Sequence, residues 1–513
     1  MSSSHDVVAP SGTAPLTPEE PTSSIADVAA LSEESVPVDV VIIGMGPGGE
    51  LVADGLMKRG YRVVAIESEL IGGECAEWGC VPTKMMIRAG NLLTEARRVN
   101  GVAGEALVIA RWSLVAQRII DEATHSWDDS ASVAAFEEKG GRFVRGVARF
   151  VDSGGSSLDR WDDESGAIGK ASSSVPFYRV AVVAGESTFT PRLGVVVATG
   201  ATPIIPDIEG LAKVPFWTNR DVVKLKTLPE SLVILGGGAI AAEVGQVMAR
   251  FGVEVTVVEA AERLLGSQEP EASALLEKVF LRDGIRVING AQIKSVTYQN
   301  ERFELDAGER GRICAERLLV ATGRRSQLAD LGLEAFGVDT EAAFLNTDEH
   351  MRVAPGIWAV GDVTNHGSFT HVATYQANIV VADIAGESTV SADYRAVPRV
   401  VFTDPEIGSV GLSEETAKGL GLNLRVGMAP IPIEARGWIH KVGNAGLIKL
   451  VEDRDRGVLV GALSVGPCGG EVLAMLTLAV HAQVPTATLK SMLYAYPTFH
   501  RAVEAALRDL HDV

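Results

Sequence analysis

The chain has 513 residues, 46% of them hydrophobic, four cysteines and a formal net charge of −20; its mean hydropathy is +0.18 and its pI near 5.0. That length suits about three domains of ~150 residues each, and the acidic balance argues against nucleic acid or an anionic membrane as a partner. No apolar run reaches the roughly 18 residues needed to span a bilayer, and four cysteines are too few for a secreted disulfide scaffold, so a soluble cytoplasmic protein is expected. Residues 1–37 are rich in Ser, Pro, Glu and Ala, with neither the basic start nor the apolar core of a signal peptide. They read as a disordered leader.

Val38 to Ile43 reads as a short apolar strand that enters Gly44-Met45-Gly46-Pro47-Gly48-Gly49. A helical pattern follows to Gly60, then a strand from Tyr61 to Ile66 that ends at Glu67. This is a βαβ unit with a Gly-x-Gly-x-x-Gly turn at Gly44, Gly46 and Gly49. Glycines there let the backbone approach a pyrophosphate at a helix N-terminus, and an acid at the place of Glu67 suits a ribose hydroxyl.

Next comes Gly72-Gly73-Glu74-Cys75-Ala76-Glu77-Trp78-Gly79-Cys80-Val81-Pro82-Thr83-Lys84. Four residues separate the two cysteines. On a regular helix such positions lie too far apart for a disulfide, whose Cα atoms must come within roughly 7 Å. A bridge therefore requires a distorted turn, which Gly79 permits. Pro82 suits the first turn of a helix, and Cys80 at its positive end favours a thiolate. Redox chemistry, a structural disulfide and metal ligation are the options, and no second ligand pair has zinc spacing, so no metal site is expected.

A mainly helical stretch runs to about Glu138, then strands are expected at Arg142 to Val151, Tyr178 to Val183 and Ser187 to Thr190, with 152–175 as an exposed insertion. A buried strand from Gly194 to Val197 leads into Ala198-Thr199-Gly200. The nucleotide plan then recurs. Leu232 to Leu235 enters Gly236-Gly237-Gly238-Ala239-Ile240-Ala241, a helix follows to Phe251, and the strand Val253 to Val258 ends at Glu259. Glu259 stands 23 residues after Gly236, as Glu67 stands 23 after Gly44. A second Ala-Thr-Gly closes at Gly323. Two copies of one plan imply two bound dinucleotides and electron transfer between them. A carboxylate at Glu259 accepts a free 2′-hydroxyl and repels a 2′-phosphate, which favours NADH over NADPH. Farther on, Ile357 to Ala359 is a strand before Val360-Gly361-Asp362, and residues 398–513 form an α+β unit. Its strands are expected at Arg399 to Phe402, Ala445 to Val451 and Gly457 to Val465, and its helices over Gly470 to Val484 and Thr498 to Leu510.

From Val38 to Leu510 the chain resembles the flavoprotein disulfide reductases of the dihydrolipoyl dehydrogenase, glutathione reductase and mercuric reductase group. The motifs that carry the resemblance stand in order: a first dinucleotide fingerprint, Cys-x4-Cys, a second fingerprint, Gly-Asp and a C-terminal unit. It implies an α/β fold with two Rossmann-like dinucleotide-binding domains and a C-terminal α+β dimerisation domain. The expected divisions are an FAD-binding domain over 38–210 and 326–395, an NAD-binding domain over 211–325 and a dimerisation domain over 396–513. By position, Gly44, Gly46, Gly48, Gly49, Glu67, Gly73, Thr199, Gly200, Gly361 and Asp362 would hold FAD, and Gly236, Gly238, Ala241, Glu259 and Gly323 would hold NAD. Cys75 would attack the outside substrate, Cys80 would face the flavin, and Lys84 would lie near the flavin and pair with Glu243. The implied protein is a homodimer that passes electrons from a nicotinamide through FAD to Cys75–Cys80 and a small dithiol or disulfide.

The resemblance breaks at one place. Typical members carry His-Pro-Thr with a Glu five residues after the His; here Tyr496-Pro497-Thr498 stands there, with Arg501 at the Glu position. A phenol with a pKa near 10 is a poor base at neutral pH, and His500 is the nearby substitute candidate. Soluble transhydrogenases of the superfamily show the same Tyr-Pro-Thr but break the cysteine pair. Reduction of a quinone or another nucleotide, with auxiliary cysteines, is therefore the second reading; a redox sensor or complex subunit is a third. The C-terminus lacks the second redox pair of mercuric or large thioredoxin reductases, and no Cys-x-x-Cys module precedes residue 38. Cys314 and Cys468 are expected to pack rather than react.

Overall fold

The computed structural model describes residues 36–151, 179–182, 187–387 and 390–513. The expected leader, apart from its last two residues, and the 152–175 insertion lie outside them. The first nucleotide unit is built on a sheet whose central strands, Val36–Ile43, Val63–Glu67 and Thr188–Val197, run parallel. Val41 lies between Val64 and Val195 and is fully buried, so these strands are apolar on both faces. The chain returns to this sheet after the second unit: Ile357–Ala359 pairs parallel with Thr188–Val197, and Arg352–Ala354 closes that edge. Gly361-Asp362 therefore emerges beside the first glycine turn.

One expected break is absent. Ser187 to Thr190 and Gly194 to Val197 belong to a single strand, Thr188–Val197. Pro191 breaks the apolar pattern in sequence, but it sits where the register against Val38 and Val40 shifts, so the ladder tolerates its missing N–H. Gly194 (φ +148°) is needed there because a side chain would collide with the Gly356 carbonyl.

The second unit holds four parallel strands in the order Arg286–Ile288, Glu254–Val258, Ser231–Leu235, Arg317–Val320. A three-stranded antiparallel sheet, Ser295–Gln299, Arg302–Asp306 and Arg312–Ala315, covers one side. The C-terminal unit is a six-stranded antiparallel sheet backed by the helices Gly469–His481 and Arg501–Arg508. The last helix begins later than expected because Tyr494 to His500 forms a loop through a cis Tyr496-Pro497 bond. Leu447, Leu463 and Val465 of this sheet share a core with Ile234, Val247 and Phe280 of the second unit and Met86 of the cysteine helix. Burial of that shared apolar surface joins the three units around the cysteines. Cys314 and Cys468, expected as packing residues, are exposed. Strand alternation turns Cys314 to the outer face of its sheet.

Candidate active site

The two glycine turns repeat one piece of stereochemistry. Val36–Ile43 ends at Gly44 (φ +95°), where a side chain would run into the Ala198 carbonyl. Gly46 caps the helix Pro47–Met57, and an added Cβ there would meet nothing within 4 Å. That open approach to a helix N-terminus suits a pyrophosphate. Gly48 lies against Val360, and Gly49 closes on the Gly44 carbonyl. The Glu67 carboxylate accepts the Met45 N–H at 2.7 Å and the Glu69 N–H at 2.7 Å. In the second turn Gly236 abuts Ala321, Gly238 caps Ala239–Arg250, and Ala241 is fully buried. Glu259 accepts the Gly237 N–H and, at 2.6 Å, the Ala261 N–H. Each acid is thus held by its own turn, the same way twice. Thr199 and Gly200 follow Val197, and Gly323 follows the corresponding second strand.

Gly73 brings the cysteine loop onto the first turn, where its added Cβ would lie 2.9 Å from Gly46 Cα. Glu74–Trp78 then forms a π-type turn, and Gly79 leads into the helix Cys80–Arg97. The expected distorted turn and helix start are both present. Both cysteines are free thiols in this structure. Cys75 Sγ lies 2.9 Å from Thr370 Oγ1, and Cys80 Sγ lies 3.9 Å from the same hydroxyl. Thr370 opens the 15-residue helix Thr370–Ile384, so both sulfurs also face a helix N-terminus. It was missed in the sequence, where 295 positions separate it from Cys75 and only its closeness to the Gly-Asp motif offered a signal.

The two thiols are driven apart electrostatically. The hydrogen bond from Cys75 lowers Cys80 to about 6, against burial and with help from the Lys84 ammonium and the Thr370 hydroxyl. The same shared proton, then burial, pushes Cys75 well above the usual thiol range. Cys80 is therefore the thiolate and Cys75 the thiol. Cys80 is the more exposed of the two.

Lys84 Nζ lies 2.8 Å from Glu243 Oε2, while Glu243 Oε1 accepts the Phe402 N–H at 2.9 Å. Gly361 donates its N–H to Gln376 Oε1 at 2.7 Å, which leaves the neighbouring Asp362 at the edge of the first turn. Burial pushes the Asp362 carboxyl up, with Arg324 opposing. Open glycine turns, pinned acids and the desolvated Asp362 fit FAD in the first unit. Tyr496 and His500 are both exposed, Tyr496 beneath the Arg501 guanidinium at 5.3 Å, and within one subunit neither is hydrogen-bonded to the sulfurs, the typical members' dyad being contributed across the dimer interface. His500 immediately precedes the last helix, Arg501–Arg508, and its side chain makes no capping bond.

Among the described residues, no helix is long and apolar enough to cross a membrane. Residues 38–377 match the pyridine nucleotide-disulphide oxidoreductase family, and residues 397–507 match that family's dimerisation domain. Dihydrolipoyl dehydrogenase of Chlorobaculum tepidum is 31% identical over 92% of this chain and 96% of its own length. Mercuric reductase of Lysinibacillus sphaericus is 30% identical over 95% and 85%. Among solved structures, LpdA of Mycobacterium tuberculosis superposes with a TM-score of 0.77 at 26% identity, covering 92% of this chain and 99% of that one. The disulfide reductase RclA of Escherichia coli shares the fold, with a TM-score of 0.74 at 24% identity. The twice-used nucleotide turn, the thiol pair beside the first copy and these likenesses lead to one conclusion: the chain belongs to the pyridine nucleotide-disulphide oxidoreductase family and is an FAD-dependent, NAD(P)-linked oxidoreductase.

Proposed function

We propose that this enzyme couples NADH to a small dithiol or disulfide through Cys75 and Cys80, reversibly, in the manner of a dihydrolipoyl dehydrogenase. The placement of the pair carries the reading: both sulfurs reach the Thr370 hydroxyl at a helix N-terminus, on a loop that Gly73 lays against the first glycine turn. Facing a substrate disulfide, Cys75 gives up its proton and its sulfur attacks one substrate sulfur; the other leaves as a thiolate and takes a proton. The Cys80 thiolate then attacks Cys75 Sγ, the second substrate sulfur leaves and is protonated, and a Cys75–Cys80 disulfide remains. The substrate gains the two electrons that the pair loses. Bound FAD supplies the two-electron chemistry between nicotinamide and the pair. Thr370 holds both sulfurs, and Lys84 steadies the negative charge on Cys80.

NADH is the preferred nucleotide in this reading. Glu259 ends the second strand of the second nucleotide plan, where a carboxylate would repel a 2′-phosphate. The nearby Arg263 guanidinium is engaged by the Leu265 and Gly266 carbonyls and the Ser273 hydroxyl, which competes with any phosphate contact. The dimerisation domain supports a homodimer, and the sparing use of cysteine suits work in the cytoplasm.

One observation favours a second reading. The strongly raised Cys75 thiol needs a base, and an exposed phenol at Tyr496 is a poor one. An enzyme that passes electrons to a quinone or another nucleotide would not need that proton removed. Cys75→Ser separates the two. Under the leading reading it abolishes dithiol turnover and spares NADH-to-quinone activity; undiminished lipoamide turnover by the variant would sink the disulfide mechanism.

A further inference from the structure

Glu74, the residue before Cys75, is the acceptor for three side chains from outside the redox loop. Its Oε1 accepts Asn219 Nδ2 at 2.6 Å and Arg324 Nη1 at 3.1 Å. Its Oε2 accepts Arg220 Nε at 3.1 Å and Nη2 at 2.9 Å. Burial pushes this carboxyl up, but Arg324 and Arg220 outweigh it and hold Glu74 below the usual carboxylate range. The donors come from two connections. Asn219 and Arg220 begin the short helix Asn219–Val222 on the segment that enters the second nucleotide unit. Arg324 lies in the two-residue strand by which the chain leaves that unit, paired antiparallel with Thr202–Pro203 on the way in. One carboxylate therefore ties both connections of the nicotinamide-binding unit to the residue beside Cys75.

The tie is directional. Asn219 Nδ2 also donates to the Trp78 carbonyl at 3.0 Å, and Arg220 also grips Glu69 at 2.8 Å, so the loop is held on both sides of Cys75. Arg324 has fewer alternatives. Its other terminal nitrogen donates to the Ala201 carbonyl, and its buried Nε has no partner among the described residues. Arg324 also acts on Asp362 of the flavin motif, whose carboxyl it holds down against burial.

We propose that Glu74 is a positioning residue, a latch that fixes the nicotinamide-binding unit against the redox loop and the flavin site. The proposal rests on the reading that the two glycine turns hold FAD and a nicotinamide nucleotide. Electron transfer between two cofactors demands close placement, and an error of about 1 Å in a reacting geometry can cost on the order of 10²-fold in rate. A carboxylate bound from both connections, on the loop that carries the thiol pair, suits that demand.

The test is anaerobic stopped-flow reduction of the FAD-loaded, full-length enzyme by NADH, with the limiting rate separated from the nucleotide dissociation constant. Glu74→Gln and Arg324→Gln are each expected to lower the limiting rate about tenfold, to leave the dissociation constant within about twofold, and to leave reduction by dithionite unchanged. The double variant should lose little more than either single one, since both break one interaction. Asn219→Ala, which removes only a neutral donor, keeps the test open should the charge variants fold poorly; its limiting rate should fall about threefold. Wild-type limiting rates in the variants would overturn the latch, as would losses that merely track flavin content or melting temperature. Wild-type flavin left oxidised by NADH would sink the reading of the enzyme, and the latch with it.

Discussion

Lys84 and Glu243 join the cysteine helix to the helix of the second nucleotide turn, with Nζ 2.8 Å from Oε2. The Glu243 side chain is 5% exposed and that of Lys84 36%. The acid also holds the Phe402 N–H of the C-terminal unit, and the ammonium lies 4.9 Å from the Phe402 ring centroid. Three units therefore meet at one carboxylate. Glu243→Ala leaves a partly buried ammonium and a buried N–H without their partner. It should lower the unfolding free energy by about 2–3 kcal/mol, less than a fully buried pair because Lys84 reaches solvent. Denaturant titration of the flavin-loaded protein measures this, and a change below about 0.5 kcal/mol would contradict it.

The displaced thiols predict a pH profile. Alkylation of the reduced enzyme by iodoacetamide should rise through about pH 6 as Cys80 loses its proton, then level off. Below that pH the sulfur is protonated and the rate falls. Cys75 should react only above the ordinary thiol range while Cys80 is present. Mass spectrometry of the modified peptides distinguishes the two sites.

Thr370→Val keeps the shape but removes the hydroxyl that reaches both sulfurs. A hydrogen bond to a charged group contributes about 1.5–3 kcal/mol, and the longer contact to Cys80 places this one at the lower end. The Cys80 step should move up by roughly one unit, with Thr370→Ser restoring it. An unmoved step would show that the hydroxyl only packs.

Glu259 predicts nucleotide choice. Wild-type enzyme should prefer NADH, and Glu259→Ala should reduce the NADH-to-NADPH ratio of kcat/KM at least about tenfold by removing the repulsive carboxylate. A wild-type preference for NADPH in steady-state kinetics would refute the assignment.

Gly44 offers a test of the first turn. At φ +95°, with the Ala198 carbonyl where a side chain would stand, Gly44→Ala must strain or move the turn. A strained non-glycine residue of this kind costs on the order of 1–3 kcal/mol. The variant should purify with markedly less flavin absorbance per protein than wild type.

Local patterns made much of this protein legible from sequence alone. The paired fingerprints, their acids and the Cys-x4-Cys segment are short runs in which spacing reflects local stereochemistry. A glycine that must take positive φ, or a cysteine at a helix start, declares itself within a dozen residues. The strand Thr188–Val197 was misread because Pro191 looks like a break until its partner strand shows the register shift. Cys314 was misplaced because strand alternation alone does not say which face is covered.

What the sequence by itself determined was the family plan: two nucleotide turns, a thiol pair beside the first, and a Tyr where a His is usual. Only the tertiary structure decided what surrounds the pair. Thr370 lies 295 positions from Cys75, and Arg324 lies 250 from Glu74. Such contacts come from sheet order and chain return, which bring distant residues together at no fixed spacing. The split between the two thiols is of the same kind, since it depends on a shared proton, burial and Lys84 acting across a few ångströms of folded protein.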